Sequence, residues 1–467
     1  MRALIIATGR TISPFLEPPG LAAVQARTMG ALVREALERR GLRIVDVDSD
    51  GDVPVSDEPT VVLADHCFVS EKALGDFLGA AFDVVTAEVG ARLALAKTPS
   101  VDFTLPLSSA TTEPFDSDGP GAKPVVKGGL RRHEAAATER VAFDCFFVRG
   151  TTATTGAALL TTLRATAKRV VVTKGEIAVP LRLPTLGDGQ QNIQLLPITS
   201  TLVVHVEHWV HILWLNQAAF GARWLEIART RKAWVFWRLL TALPWSFAAI
   251  THRFVSTGRN VRIHPTAYVE ASVLGDDVVI EAGASVRNCI VGNGVVVGDH
   301  ATVIGSALGD RVAVTPRTFV VSSVAYEDAV LSNYKLQVSV IGRGASLSTW
   351  AGFIDAKLQG TIEVPHDGRM QSTGRNFLGS ALGHGGHVGA KVLILPGREV
   401  PNGTLITMRD DELIRTIPAS LPAGVAHVRG NGTLVPLLAP TPSPTSSPAS
   451  SAVSSVAASS LSPRETP

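Results

Sequence analysis

The sequence is poor in cysteine, tyrosine and methionine, and it carries almost no net charge. The three cysteines, Cys67, Cys145 and Cys289, are far apart and odd in number. They have neither disulfide nor zinc spacing, so a reducing compartment is expected. A formal net charge of +2 gives no general attraction to nucleic acid, and no nucleic-acid partner is expected. No uncharged apolar run reaches the ~20 residues a spanning helix needs. The opening MRALIIATGR is too short an apolar run for a signal peptide. A cytoplasmic protein is expected. At 467 residues the chain has room for two or three domains, each with its own core.

An internal repeat fills much of the second half. Leu274-Gly275, Val291-Gly292 and Leu308-Gly309 stand 17 residues apart, and Thr257-Gly258 lies one period upstream. Within each period apolar residues follow at +6 and +12: Ile263 and Val269, Ile280 and Val286, Val297 and Val303, Val314 and Val320. A six-residue period fits neither an amphipathic helix nor an alternating strand. It fits a solenoid coil of three short strands with tight corners, each register residue pointing into a shared core. The register blurs after Val320. It returns at Ile341-Gly342, Leu347, Leu382-Gly383, Val388-Gly389, Ile394, Val400 and Ile406. Coils are therefore expected over roughly 257–410, with an insertion or irregular coil between about 321 and 380.

The N-terminal part reads as α/β. Leu4-Ile-Ile-Ala-Thr-Gly9 is a strand, and Leu21 to Arg40 a helical stretch stopped by Gly41. Leu42–Val47 and Thr60–Ala64 are further strands, the latter running into Asp65. Ser70 caps a helix with Ala73, Leu74 and Phe77 on its apolar face. Arg140–Val148 and the Arg169–Thr173 stretch are additional strands. This order predicts a mostly parallel sheet with ligand chemistry at the carboxyl ends of the strands, where Gly9 and Asp65 fall.

Residues 203–254 read as helical, aromatic and basic. Six of the seven tryptophans lie between Trp209 and Trp245, interleaved with Arg223, Arg229, Arg231, Lys232 and Arg238, and Pro244 breaks the pattern. Two roles fit: a packing bracket between domains, or peripheral membrane contact with tryptophans at headgroup depth. The last stretch, APTPSPTSSPASSAVSSVAASSLSPRETP, lacks aromatics and is expected to be a disordered tail. The expected boundaries are 1–202 for the α/β domain, 203–255 for the helical bracket, 256–438 for the solenoid and closing strands, and 439–467 for the tail.

The solenoid resembles the hexapeptide-repeat, left-handed parallel β-helix of bacterial acyltransferases and sugar nucleotidyltransferases. The whole arrangement resembles the sugar-nucleotide pyrophosphorylases, in which a nucleotidyltransferase domain precedes such a β-helix. The resemblance implies a site that joins a nucleoside triphosphate to a sugar phosphate, and a homo-oligomer. On the residues that match, Ala7, Thr8, Gly9 and Arg10 would hold the nucleotide phosphates, with Arg10 also neutralising developing charge. Asp65 would bind Mg²⁺, and Asp188 or Asp144 would be the second acid. The loop has a single glycine, and the lysine that family carries is missing. Arg27 is a substitute candidate, and the next lysine is Lys72.

Two other patterns compete. His205-Val-Glu207-His208-Trp-Val-His211 would put three imidazoles on one broad helical face, where packing or zinc or iron ligation are the readings. Gly383-His384-Gly-Gly-His387-Val-Gly389 resembles the acyltransferase coils in which a histidine acts as general base on a sugar acceptor with acyl-CoA as donor. His300 and His264 are further candidates. The third reading is an inactive scaffold or regulatory protein.

Overall fold

In a computed structural model, the residues described are 1–436 apart from 87, 115–138, 173–174, 183–192, 242–251, 333–334, 410–413, 415, 420, 422–424 and 431. Asp188, Pro244, Trp245 and the Pro/Ser tail lie outside them. Contacts divide the chain into two units, Met1–Thr407 and Met408–Pro467. Within the second, His427–Gly430 and Thr433–Pro436 form an antiparallel hairpin.

The α/β part is built on a mixed sheet of β1 (Arg2–Ile6), β2 (Arg43–Val47), β3 (Thr60–Ala64), β4 (Ala91–Ala96), β5 (Thr111–Pro114), β6 (Glu139–Val148) and β7 (Lys168–Val172). Its order is β7-β4-β6-β3-β1-β2, with β5 also on β6. Strand β1 runs parallel to β2 and β3, and β4 to β7. The sheet is mostly parallel, as expected: among the described strands only β6, at its centre, runs against the rest, antiparallel to β3, β4 and β5. All five residues of β3 are buried, as are eight of the ten in β6, so no alternation revealed the strand direction.

The first helix, Met29–Glu38, is shorter than the sequence suggested. Thr28 caps it by accepting from the Ala31 amide, and Gln25 and Ala26 turn the chain at positive φ just before. Pro19–Leu21 makes only a 3₁₀ turn. The second helix, Glu71–Ala81, starts at its Ser70 cap and buries Ala73, Leu74 and Phe77, as read from the sequence.

From Ser256 to Ile406 the chain winds into a left-handed β-helix. Eight strands stack in each of two sheets and five in the third, among the described residues. The register residues Leu274, Val291, Leu308, Val286, Val303 and Val320 fill its core. Glycine follows the register residue because coils touch there. A Cβ on Gly309 would meet the Glu327 amide nitrogen at 2.6 Å, and one on Gly292 the Asp310 amide at 2.8 Å. A column of left-handed residues, Asn260, Asp277, Gly294, Arg311 and Asp328, turns one corner of each coil.

The blurred register has two physical causes. Ala325 pairs with Ile341, 16 residues on rather than 17, so one coil is a residue short. Ile341 then pairs with Leu382 across a long excursion. That excursion carries a hairpin, Glu363–His366 with Arg369–Ser372. The coils themselves run regularly to Phe353, so the irregular part is shorter than the 321–380 expected.

With the two helices above as α1 and α2, and Pro99–Thr104 and Gly156–Thr166 as α3 and α4, the long helix α5 (Trp209–Thr230) joins the two parts of the first unit. Trp209 and Trp214 are fully buried, and the Gln217 side-chain amide donates to the Ser322 carbonyl of the β-helix at 3.3 Å. One apolar cluster contains Val204, Trp214 and Leu215 together with Val324, Tyr326, Ile362 and Leu378 of the β-helix and its excursion. Trp209 and Trp214 are thus taken up by packing within this unit.

Candidate functional site

Strands β1 and β3 are in register, Ile6 opposite Ala64, so both chains leave the sheet side by side. This brings Ala7-Thr8-Gly9-Arg10 next to Asp65-His66. Gly9 turns at φ +69°, a conformation costly for other residues. The Ala7 amide donates to the Val47 carbonyl at 2.9 Å. Thr8 gives both its amide (3.1 Å) and its hydroxyl (2.6 Å) to Asp65 Oδ1. Two of the loop's amides are thus spent on the protein itself.

Behind this loop lies a buried charged cluster. Arg10 pairs with Glu207. Glu207 also accepts from the Ser109 hydroxyl and amide, each at 2.6 Å. Asp144 is held by Arg92 at 3.0 Å and by Arg164 at 2.6 Å. The His66 ring, wholly buried, stands 3.5 Å from Asp144, 3.6 Å from Glu207 and 3.8 Å from Asp65. Those spacings are ion-pair contacts, too long for hydrogen bonds. Burial alone would lower the His66 pKa, but Asp144, Asp65 and Glu207 outweigh it and raise it. Asp144 is raised by burial, yet His66 and Arg164 hold it far below the usual carboxylate range. Glu207, also opposed by burial, is held near 2 by His205, His66 and Ser109.

The histidine triplet does not converge, which corrects the helical-face reading. His205 ends a short strand, Val203–His205. Its Nε2 accepts the Asp144 amide at 2.9 Å, so Nδ1 carries the proton. Burial and the neighbouring His66 push its pKa down to about 3. His208 caps α5, its Nδ1 accepting from Val210 at 3.3 Å and its Nε2 facing Glu399 at 3.0 Å. His211 accepts the Glu207 amide through Nδ1 and donates from Nε2 to the Pro106 carbonyl at 2.7 Å.

Two metal readings can be weighed on these contacts. Donor atoms of His66, His205 and Glu207 lie within 4.8 Å of one another. However, the acceptor nitrogen of His205 is used by a backbone amide, and Glu207 is already neutralised by Arg10. These residues do not fit a resident metal ion. A Mg²⁺ cage on Asp65 and Asp144 does not form either, because both Asp144 oxygens face arginines. Asp65 keeps a side chain 14% exposed, its Oδ1 bound to Thr8.

Arg27 is directed elsewhere, pairing with Glu35 at 2.6 Å, and Lys72 pairs with Asp76. Both line a 520 Å³ cleft with Arg39 and Glu226, apart from the Gly9 loop. Many of the charges lining that cleft pair with one another: Arg39 alone bridges Glu35, Glu71 and Glu226, while Lys232 stands at the same cleft.

The β-helix histidines are placed just as definitely. His384 Nδ1 accepts the Arg343 amide at 2.8 Å, and Nε2 donates to Glu17 Oε2 at 3.0 Å. Its ring packs on Phe15 and Tyr326. His387 contacts the hydroxyls of Ser346 and Ser348 on the preceding coil, the latter at 3.3 Å. His300 is an exposed corner residue at φ 56°, and His264 is exposed beside Thr266.

Sequence reasoning missed two contributors. His66 follows Asp65 directly and was legible as a strand-end residue. Glu17 carried no signal, because its partners are more than 300 positions away.

Residues 248–341 match the family of the GMPPB C-terminal domain. This part of the chain is pyrophosphorylase-like. Over about a third of its length the chain is also similar to several solved transferase structures. One is the acetyltransferase domain of PglB from Neisseria gonorrhoeae FA1090, at 20% identity over 32% of this chain and 53% of that one, with a TM-score of 0.13. Another is a hexapeptide transferase family protein from Anaplasma phagocytophilum, at 15% identity over 34% and 88%, with a TM-score of 0.18. A third is a mutant GDP-perosamine N-acetyl transferase from Caulobacter crescentus in complex with CoA and GDP-perosamine, at 19% identity over 31% and 51%, with a TM-score of 0.15. The match takes in about half of the Neisseria and Caulobacter chains. No curated protein matches the chain significantly.

Proposed function

We propose that this pyrophosphorylase-like chain is a non-catalytic scaffold or regulatory protein, in which the loop after the first strand has become a tie between the α/β part and the β-helix. The supporting observation is the fate of residues 8–17. Thr8 is bound to Asp65, Arg10 to Glu207, and Glu17 to Tyr326 and His384 of the β-helix. A phosphate loop works by presenting its amides and cations to ligand. Here most of those groups are engaged within the protein.

Nucleotidyl transfer to a sugar phosphate is the second reading. It is favoured by Gly9 at positive φ and a partly exposed Asp65 on adjacent parallel strands. In it Ala7, Thr8, Gly9 and Arg10 hold the nucleoside triphosphate and Asp65 a Mg²⁺ ion. Acyl transfer from acyl-CoA to a sugar acceptor would fall to His387, whose ring nitrogens face only the hydroxyls of Ser346 and Ser348, whereas His384 is tied to the Arg343 amide and the Glu17 carboxylate.

The test is pyrophosphate release from a panel of nucleoside triphosphates and hexose 1-phosphates with Mg²⁺, alongside thiol release from acetyl-CoA with amino and hydroxy sugars. No turnover in either assay is the expected result. Pyrophosphate release abolished by Asp65→Ala overturns the proposal for nucleotidyl transfer, and thiol release abolished by His387→Ala overturns it for acyl transfer.

A further inference from the structure

The helix after α5, α6 (Lys232–Leu240), is oriented against the usual rule for a soluble protein. Its half-buried side carries Trp234, Val235 and Arg238. Trp234 packs edge-on against Phe254, ring centroids 5.8 Å apart, and Arg238 lies over the Trp234 ring at 5.2 Å. The opposite side, Ala233, Phe236, Trp237 and Leu240, follows i, i+3, i+4, i+7 spacing and forms one apolar stripe. Phe236 is 66% exposed, Trp237 64% and Leu240 45%. A solvated helix normally turns polar residues to that side.

The charges beside the stripe are all of one sign. Arg231 and Lys232 are exposed, and residues 231–241, RKAWVFWRLLT, contain no acid. Exposed aromatics flanked by exposed cations complement a surface that is apolar below and anionic above. No helix among the described residues is long and apolar enough to cross a membrane, so α6 is suited to lie in the plane of an interface.

We propose that α6 docks the protein on an anionic lipid bilayer, with Phe236, Trp237 and Leu240 entering the headgroup boundary and Arg231 and Lys232 meeting lipid phosphates. This contact is confined to α6, since of the α5 tryptophans Trp209 and Trp214 are buried in the protein core and Trp224 packs against Phe254 at 5.9 Å. It is independent of whatever chemistry the Gly9 cleft performs.

The experiment is co-sedimentation of the full chain with vesicles of phosphatidylcholine alone and of phosphatidylcholine mixed with phosphatidylserine, with gel filtration of the same samples. Binding is expected to the mixed vesicles, to be weak on phosphatidylcholine, and to fall as salt rises. Phe236→Ser with Trp237→Ser should lower the affinity by at least about tenfold, because two aromatic burials are lost. Both side chains face solvent, so the fold should hold, and an unchanged melting temperature checks this. Lys232→Glu should weaken binding to the mixed vesicles only. No binding to mixed vesicles, or binding that survives the double substitution, overturns the proposal. A drop in oligomer size on the double substitution, without vesicle binding, also overturns it and assigns the stripe to a contact between copies.

Discussion

Glu17 accepts a hydrogen bond from the Tyr326 hydroxyl at 2.7 Å, across 309 positions of sequence. Its other oxygen faces His384 Nε2 at 3.0 Å, and Arg343 stands 3.8 Å away. Tyr326 is fully buried, and burial followed by the Glu17 charge drives its pKa well up, so it remains a donor. The carboxylate therefore fixes the 12–17 segment onto the β-helix. Ser13 and Phe15 extend the contact, through Glu399 and through the Asn402 side-chain amide at 2.7 Å.

Glu17→Ala should destabilise the protein by about 1–3 kcal/mol, because it strands the buried Tyr326 hydroxyl. Tyr326→Phe should cost less, about 1 kcal/mol, since it removes the donor as well as one bond. The double variant should cost less than the sum. Urea unfolding of the four proteins measures the coupling, and strict additivity would show that the bond contributes nothing.

Gly309→Ala should destabilise by about 1–3 kcal/mol, the usual range for forcing extra volume into a packed interior. The obstacle is backbone, the Glu327 amide at 2.6 Å, and it cannot rotate away. Gly344→Ala tests a different cause. Nothing lies within 4 Å of its added Cβ, so its cost comes only from its φ of +60°. Thermal melts should rank Gly309→Ala as the more damaging.

The β-helix was legible because its signal repeats. Leu274, Val291 and Leu308 announce the same environment three times, and one deleted residue before Ile341 was enough to hide the following coil. The α/β sheet was less legible, since β6 buries both faces and shows no period from which direction can be read. The site was partly legible. Gly9, Arg10 and Asp65 do meet at one edge of the sheet, because strand ends are local features. Their partners Glu207, Ser109 and Asp144 come from distant segments, so only the folded chain reveals that the cations and amides are already engaged. For the His205–His211 stretch, the strand ended three residues before the helix began, which a helical periodicity cannot anticipate.

Stability should fall on acidification below about pH 6.5. His205 and His211 have ordinary values near 6.5 and are pushed by burial to about 3 and about 4 in the fold. Their pKa values are depressed, so their contribution is complete above the unfolded value and is lost as pH falls toward the folded one. Glu207, at about 2 against 4.5, adds a loss below pH 4.5. His66 acts in the opposite sense: its raised pKa gives stability that is full below 6.5 and is lost as pH rises through its folded value. Melting temperatures from pH 8 to 4 should show the acid loss, and His205→Gln, which keeps an acceptor for the Asp144 amide, should flatten it. An unchanged slope in that variant would assign the loss elsewhere.

Arg375 should be a strong anchor of the β-helix excursion. Its guanidinium touches two adjacent rings, 4.0 Å from the centroid of Phe103 and 4.1 Å from that of Trp214, the rings themselves 6.3 Å apart and tilted by 56°. It also donates to the Phe103 carbonyl at 2.6 Å. A planar cation can lie against the corner of two rings and still donate from its edge, which an ammonium cannot reproduce. Arg375→Lys should therefore cost stability almost as much as Arg375→Met, which keeps apolar contact without charge, and each loss should be about 1–3 kcal/mol. Trp214 fluorescence reports the contact directly: its emission should shift in both variants. Full stability in Arg375→Lys would show that charge alone, without the planar fork, holds the excursion to α5.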